Sequence, residues 1–306
     1  MCGIVGVLGT HEVSPIIVEA LRRLEYRGYD SAGIATIQEG GVLDRRRAVG
    51  KLANLSDELV HNPLPGKAGI GHTRWATHGG VTVPNAHPHK AGRVALVHNG
   101  IIENFATFRA ELEAGGYACE SQTDTETVAG LVNVLMDQGK TPVEAVRAVL
   151  PRLEGAYSLL FLFEGEDDLM IAARKNSPLA IGHGDGEMYV GSDAIALASM
   201  TNRVTYLEEG DWAVITRAGA TIYDEAGKLA NREVRKVALS ATRIEKAGYK
   251  HFMMKEIAEQ PTVVDAVFDA YLTPDGDAIT MDLPGVDFTK VSRVSIVACG
   301  TAYYAG

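Results

Sequence analysis

A cysteine at position 2, an Arg-Trp pair within Gly71-His72-Thr73-Arg74-Trp75-Ala76-Thr77-His78-Gly79-Gly80, and the triplet His98-Asn99-Gly100 could carry chemistry in this chain. A small residue at position 2 permits removal of Met1, which leaves Cys2 with a thiol and a free α-amine on one residue. Ordinary pKa values of about 8 for the amine and about 8.5 for the thiol make transfer of the proton from sulfur to nitrogen cost only about 0.7 kcal/mol. The amine can then act as the nucleophile's own general base, directly or through a water. Taken alone, Cys2 reads more simply as a small buried residue opening the strand Gly3 to Leu8.

The block from His72 to Gly80 is charged and aromatic at the end of a strand and closes on two glycines, a composition suited to a binding loop with a hinge. A polar hairpin with Trp75 capping the core is the plainer alternative. Asn99-Gly100 after an apolar run is a strong hairpin signal. A hairpin should return as an alternating strand, however, whereas Ile101 to Asn104 leads into a helix-like run from Phe105 to Leu112. A side-chain amide beside an unhindered glycine N–H is also the donor pair that an oxyanion hole requires.

The elements that must position these residues can be read from pattern. Ser14-Pro15 opens a helix, with Ser14 as N-cap and Ile16, Ile17, Ala20, Leu21 and Leu24 on its apolar face. Thr123-x-x-Glu126 and Thr141-x-x-Glu144 are capping-box sequences. Strands are expected at Gly33 to Gln38, Ala68 to Trp75 and Arg93 to His98. After Gly155 come Tyr157 to Glu164, Leu169 to Arg174, Glu187 to Gly191, Val204 to Glu208, Trp212 to Thr216 and Thr221 to Asp224. Many strands flanked by a few helices predict an α+β architecture of two packed sheets covered by helices. The polar segment from about Arg232 to Lys250 reads as linker-like, followed by a helix from Pro261 to about Tyr271. A continuous apolar strand, Val291 to Ala298, then runs into Cys299-Gly300-Thr301, as at the start of an α/β unit. The sequence stops at Gly306, one strand into that unit, and so reads as a fragment of something longer.

With 46% apolar and 22% charged residues over 306 positions the composition is that of a globular protein. The net charge of -10 argues against nucleic acid or an anionic membrane as partner, and the densest basic run, Arg45 to Arg47, is too short to reverse that. The longest apolar run, Ala156 to Phe163, is strand-sized. A signal peptide is not expected either, which points to a cytoplasmic protein. Cys2, Cys119 and Cys299 show no paired spacing, so neither a disulfide framework nor a zinc motif is expected.

Five stretches taken together resemble the glutaminase domain of the glutamine:fructose-6-phosphate amidotransferase family: Cys2 to Gly6, Arg23 to Gly33, His72 to Gly79, His98-Asn99-Gly100 and Thr123 to Glu126. His251 to Pro261 and Cys299-Gly300-Thr301 extend the resemblance over nearly the whole chain. It implies a four-layer α/β/β/α N-terminal-nucleophile hydrolase sandwich over residues 2–240, a linker at 241–250, and the incomplete start of a sugar isomerase domain over 251–306. It implies that Cys2 attacks the side-chain amide of L-glutamine to give a glutamyl thioester and ammonia, with Asn99 and the Gly100 N–H holding the oxyanion. Arg74 would bind the substrate carboxylate and Asp124 its ammonium, although Asp124 also suits a helix N-terminus. Thr77 and His78 would line the pocket, Trp75 would close over it, and Arg27 would position the nucleophile. Cys299, Gly300 and Thr301 would begin a phosphate-binding turn for fructose 6-phosphate, with Ala302 standing where a hydroxyl residue is expected. No cofactor or metal is implied, and the longer protein would be a homodimer.

Three rivals remain open at this level. One is another amidotransferase of the same class, serving purine or asparagine synthesis. A second is a metal-binding or regulatory module on His72, His78, His87, His89 and His98, although these lack zinc-site spacing. The third is a non-catalytic sugar-phosphate-binding protein built on the C-terminal residues.

Overall fold

The computed structural model describes residues 2–237, 248–273, 275–280, 286–298 and 301–305. In chain order its strands are β1 Gly3–Leu8, β2 Ser31–Ile37, β3 Leu43–Val49, β4 Ala68–Arg74, β5 His89–Ala91, β6 Val94–Ile102 and β7 Gly155–Phe163. They continue with β8 Glu166–Lys175, β9 Ala180–His183, β10 Met188–Gly191, β11 Arg203–Tyr206, β12 Trp212–Thr216, β13 Gly219–Tyr223 and β14 Arg235–Lys236. The helices among them are α1 Ser14–Arg22, α2 Leu52–His61, α3 Phe105–Ala114, α4 Asp124–Asp137, α5 Pro142–Val149 and α6 Ala194–Leu197.

These strands form an eight-stranded sheet, ordered β14-β11-β9-β10-β1-β4-β2-β3, and a six-stranded sheet, ordered β13-β12-β8-β7-β6-β5. Period-two alternation distributes their side chains. Ile4 and Leu8 of β1, Ile70 of β4, Val97 of β6 and Leu160 of β7 meet in the seam between the sheets. The alternate residues Val5 and Val7 pack outward with Ile17 and Leu21 of α1 and Leu55 of α2. On the far side Leu96 and Phe161 pack with Phe108 of α3, Val128 and Val132 of α4 and Val146 of α5. Both sheets are thus buried on two faces, and the layers run helix, sheet, sheet, helix. Glycines bring α1 close to β4: a Cβ at Gly71 would stand 2.3 Å from Ile17 Cγ2.

Several local expectations are corrected. Val13, not Ser14, occupies the N-cap of α1, because the Ser14 hydroxyl donates instead to the Leu64 carbonyl. The Thr141 to Glu144 box is reciprocal. Thr123 accepts from the Glu126 N–H, but the Glu126 carboxylate turns to the N–H groups of Glu120 and Ser121, leaving the second half of that box unmade. The chain does not turn at Asn99-Gly100; β6 continues to Ile102 because Gly100, at φ +123°, passes the Ala156 carbonyl where a Cβ would lie 1.9 Å away.

Arg45 to Arg47 lie on β3, a strand whose polar sequence hid it. They tie down neighbouring chain: Arg45 donates to Pro88 O at 3.2 Å, and Arg47 to Pro84 O at 3.0 Å and Ala86 O at 2.9 Å. Arg232 belongs to the sandwich rather than to a linker, since its fork holds the fully buried Asp211 carboxylate at 2.8 and 2.9 Å. Beside it, β14 adds to the sheet edge at β11.

The chain divides into two compact units, Met1–Glu245 and Lys246–Gly306. Most of the expected linker lies outside the described residues. In the second unit a helix spans Phe252–Tyr271 with Pro261 inside it rather than at its start. The turn before Pro261 already has helical geometry, so the proline removes one hydrogen bond without setting the boundary. Residues 291–298 form no strand, and Val297 is 96% exposed. An isolated strand has no neighbour to satisfy its backbone groups, and none lies beside it among the described residues. Cys299 and Gly300 lie outside the described residues; Thr301 begins the short helix Thr301–Ala305.

Candidate active site around Cys2

The register of the sheets brings the candidate residues together. Gly3 pairs with Thr73 and Ile4 with His72, so Cys2 stands beside Arg74 at the end of the β1–β4 ladder. Cys2, His72 and Arg74 share the parity of Ile4 and Ile70, whose side chains enter the seam between the sheets. On β6 Asn99 shares the parity of Ala95 and Val97, which enter the same seam from the opposite side. The end of the sandwich is therefore a place where a thiol, an amide, an imidazole and a guanidinium converge from two sheets.

The Trp75 N–H donates to Cys2 Sγ at 3.1 Å. Burial pushes the Cys2 thiol up from its ordinary value, opposed by that N–H and by the Arg74 charge. Asn99 Nδ2 donates to the Cys2 carbonyl at 3.3 Å, and Asn99 Oδ1 lies 2.9 Å from His72 Nε2. Arg27 reaches the same Cys2 carbonyl at 3.4 Å, while its other nitrogen holds Asp193 at 2.6 Å. Asp193 in turn accepts from the Ile195 N–H at 3.0 Å and caps α6, so Cys2 is tied to a segment nearly two hundred residues away.

Arg74 is buried, and its guanidinium grips the loop that follows it, donating to His78 O at 2.5 Å, Gly80 O at 3.2 Å and Gly79 O at 3.4 Å. Asp30 accepts from the Ala76 N–H at 2.5 Å and holds the start of that loop. Trp75 is 55% exposed and so does not cap the core. Its ring passes over Gly28, where a Cβ would stand 2.8 Å from it. Asp124, at the first turn of α4, is buried and accepts from Ile102 N–H at 2.9 Å and Thr125 N–H at 3.0 Å. Cys2, Arg74, Trp75, Thr77, His78, Gly100 and Asp124 line one small cavity of about 20 Å³. That space fits a single water. It is smaller than an amino acid requires; Gly79, in the Trp75 to Gly80 loop that covers it, lies at φ +76°.

His72, His87, His89 and His98 are buried within the fold. All four are held below the ordinary imidazole range, first by burial. They pair with protein: His98 Nδ1 and His87 Nε2 meet Thr125 Oγ1 at 3.0 and 2.9 Å, and His89 Nε2 meets Thr123 Oγ1 at 3.1 Å. Among the described residues no group of three or more His, Cys, Asp or Glu is arranged to hold a metal ion.

Sequence reasoning quoted His72 within the loop block but assigned it no part beside Asn99, and it missed Asp30, Thr125 and Asp193. The i, i+2 spacing of His72 and Arg74 on one strand was a usable signal for the first. Nothing local marks the others, whose partners are distant in sequence.

Residues 83–199, which include Asn99, Gly100 and Asp124, match the family described as glutamine amidotransferase domain. Over the whole chain the sequence is 57% identical to glutamine–fructose-6-phosphate aminotransferase (isomerizing) of Brucella abortus biovar 1 (strain 9-941), covering 50% of that protein. It is 54% identical to the enzyme of the same name from Zymomonas mobilis subsp. mobilis (strain ATCC 31821 / ZM4 / CP4), again covering 50% of it. The chain thus spans about half the length of the curated relatives it matches. Among solved structures, glutamine phosphoribosylpyrophosphate amidotransferase from B. subtilis aligns with a TM-score of 0.62 at 28% identity, over 73% of this chain and 49% of that one. The allosteric regulatory enzyme of purine biosynthesis aligns with a TM-score of 0.63 at 29% identity, over the same shares. These alignments show that the two-sheet sandwich shares its fold with those amidotransferases, and with the match at residues 83–199 and the whole-chain identities they establish that the chain belongs to the glutamine amidotransferase family.

Proposed function

We propose that this chain hydrolyses L-glutamine to glutamate and ammonia with Cys2 as nucleophile, freed at its α-amine by removal of Met1. The observation that carries the reading is the convergence of Cys2 Sγ, the Asn99 amide, the buried Arg74 guanidinium and the buried Asp124 carboxylate at one end of the sheet seam. The thiolate attacks the amide carbon, and the α-amine takes the thiol proton and delivers it to the leaving ammonia. Asn99 Nδ2 and the Gly100 N–H stabilise the oxyanion, where loss of one donor is worth about 2.7 to 4 kcal/mol. A water then hydrolyses the glutamyl thioester and regenerates the thiol. Arg74 and Asp124 recognise the substrate α-carboxylate and α-ammonium, while Thr77, His78 and Trp75 close the pocket. Arg27, through Asp193, positions Cys2.

In the longer protein that the relatives represent, the ammonia passes to fructose 6-phosphate to give glucosamine 6-phosphate. That role rests on the relatives' names and on 52–57% identity across the whole chain. The purine and asparagine alternatives are not favoured, since the purine-pathway structures reach only 28–29%. Residues 251–306 are read as the start of a sugar isomerase domain, with Cys299 to Thr301 as its first phosphate-binding turn, and residues 2–240 as the glutaminase domain. A cytoplasmic location and a homodimer of the longer protein complete the reading; no helix among the described residues is long and apolar enough to cross a membrane.

The test is to incubate the purified chain with glutamine, with and without fructose 6-phosphate, and to assay glutamate and aminosugar phosphate. Glutamate should form at a rate that fructose 6-phosphate leaves unchanged, with no aminosugar phosphate. Absence of glutamate would refute the glutaminase reading. Aminosugar phosphate made by these residues alone would show that the second site is misplaced.

A further inference from the structure

An asparagine serves as an oxyanion donor only if its NH₂ end faces the reacting carbon, and nothing in the amide itself enforces that choice. The two ends of the Asn99 amide are held differently here. Nδ2 donates to the Cys2 carbonyl at 3.3 Å, which forbids the opposite orientation, since two carbonyl oxygens would then face each other. Oδ1 is left 2.9 Å from His72 Nε2 across the seam. An amide oxygen only accepts, so Nε2 must carry the hydrogen, and the His72 tautomer follows from the asparagine.

We propose that His72 is a positioning residue that holds the Asn99 carbonyl and so aims the Asn99 NH₂ group at the site of the developing oxyanion beside Cys2. The inference rests on the glutaminase reading above.

The strands make His72 a firm support. It lies within β4, which is paired on one side to β1 through Ile4 and on the other to β2 through Gly33, so its backbone has little freedom. Its side chain is fully buried. His72 Nδ1 makes no hydrogen bond, and a second proton on the ring would place a charge in a fully buried site. Burial holds the ring pKa down to about 3; the Asn99 contact and the nearby His98 backbone favour the charged form too weakly to offset it. The resting His72 ring is therefore uncharged at neutral pH. What it offers is a fixed N–H that prevents the asparagine amide from turning over, the kind of preorganised support on which oxyanion stabilisation depends.

The test separates aim from structure. His72→Leu should lower kcat by about ten- to a hundredfold, the scale for losing a residue that orients a ligating group. KM should change by less than about threefold and the pH profile should keep its shape. His72→Gln should recover most of the activity, because its terminal amide reaches the position of Nε2; His72→Asn, whose amide sits where Nδ1 was, should not. In an Asn99→Ala background, His72→Leu should have no further effect. Alkylation of Cys2 by iodoacetamide, which forms no oxyanion, should proceed at the same rate in His72→Leu and the parent chain.

Full kcat in His72→Leu, additive losses in the double variant, or alkylation falling in step with hydrolysis would overturn the proposal. Should His72→Leu fail to fold, ¹⁵N NMR of the unaltered chain decides instead. The ring must be the neutral Nε2–H tautomer, unchanged from about pH 5 to 8, and an Nδ1–H tautomer would overturn the assignment. If the unaltered chain releases no glutamate at all, the glutaminase reading falls and this role falls with it.

Discussion

Gly100→Ala perturbs the site at the point of closest backbone approach. At Gly100 φ is +123°, and an added Cβ would stand 1.9 Å from the Ala156 carbonyl oxygen and 2.8 Å from its carbon. Real contacts of this kind do not fall below about 3 Å, so β6 must retreat from β7 by roughly 1 Å at the Gly100–Tyr157 pair. The left-handed conformation adds strain of about 1–3 kcal/mol for a residue with a side chain. Asn99 and the Gly100 N–H ride on the displaced segment, so both oxyanion donors leave their positions together. A misplacement of about 1 Å can reduce a rate about a hundredfold. We therefore expect Gly100→Ala to lose at least that factor in kcat for glutamate release, with a lowered melting temperature. Steady-state kinetics and thermal denaturation measure both. A variant that keeps kcat within about threefold of the parent would refute the idea that this glycine fixes the donors.

Cys2→Ala should abolish glutamate release with the circular dichroism spectrum unchanged, since Ala keeps the start of β1 and removes only the sulfur; residual hydrolysis would move the nucleophile elsewhere. An electrophilic glutamine analogue should label Cys2 and spare Cys119 and Cys299, as peptide mapping would read. Because burial raises the Cys2 thiol, its alkylation by a neutral reagent should quicken as pH rises and reach half its plateau above about 8.5, the ordinary thiol value. A plateau already reached at neutral pH would contradict that shift. Material shown by intact mass to retain Met1 uniformly should be inactive, because the Cys2 nitrogen is then an amide and the new amine lies about 3.8 Å further along the chain; activity there would remove the α-amine as base.

Much of this protein was readable in its residue order. Short apolar runs at Gly3 to Leu8 and Ala68 to Trp75, and the turn-bounded runs after Gly155, announced strands, and the Thr141 box announced α5, because these signals are local and act over a few residues. The same local signals failed where a tertiary partner outbid them. The Asn99-Gly100 pair forms no hairpin because β7 continues the ladder past it. Ser14 gives up its cap to bond the Leu64 carbonyl, and the Glu126 carboxylate serves the 120–121 backbone instead of Thr123. The polar strand β3 was invisible because Arg45 and Arg47 reach across to the 84–88 segment rather than into a core.

For the site, side-chain chemistry, a property of the chain itself, singled out Cys2, Asn99 and Gly100, while the roles of Arg74 and Asp124 came only as what the family resemblance implies. The folded molecule decided that Asn99 meets His72, that Arg27 reaches Cys2 while braced on Asp193, and that Arg74 holds its own loop shut over a cavity too small for substrate. The first two of these sets of pairings span 25 to 166 residues. They depend on which strands become neighbours and in what register, and register is set by burial of the sheets' apolar faces as a whole rather than by any residue that makes the contact.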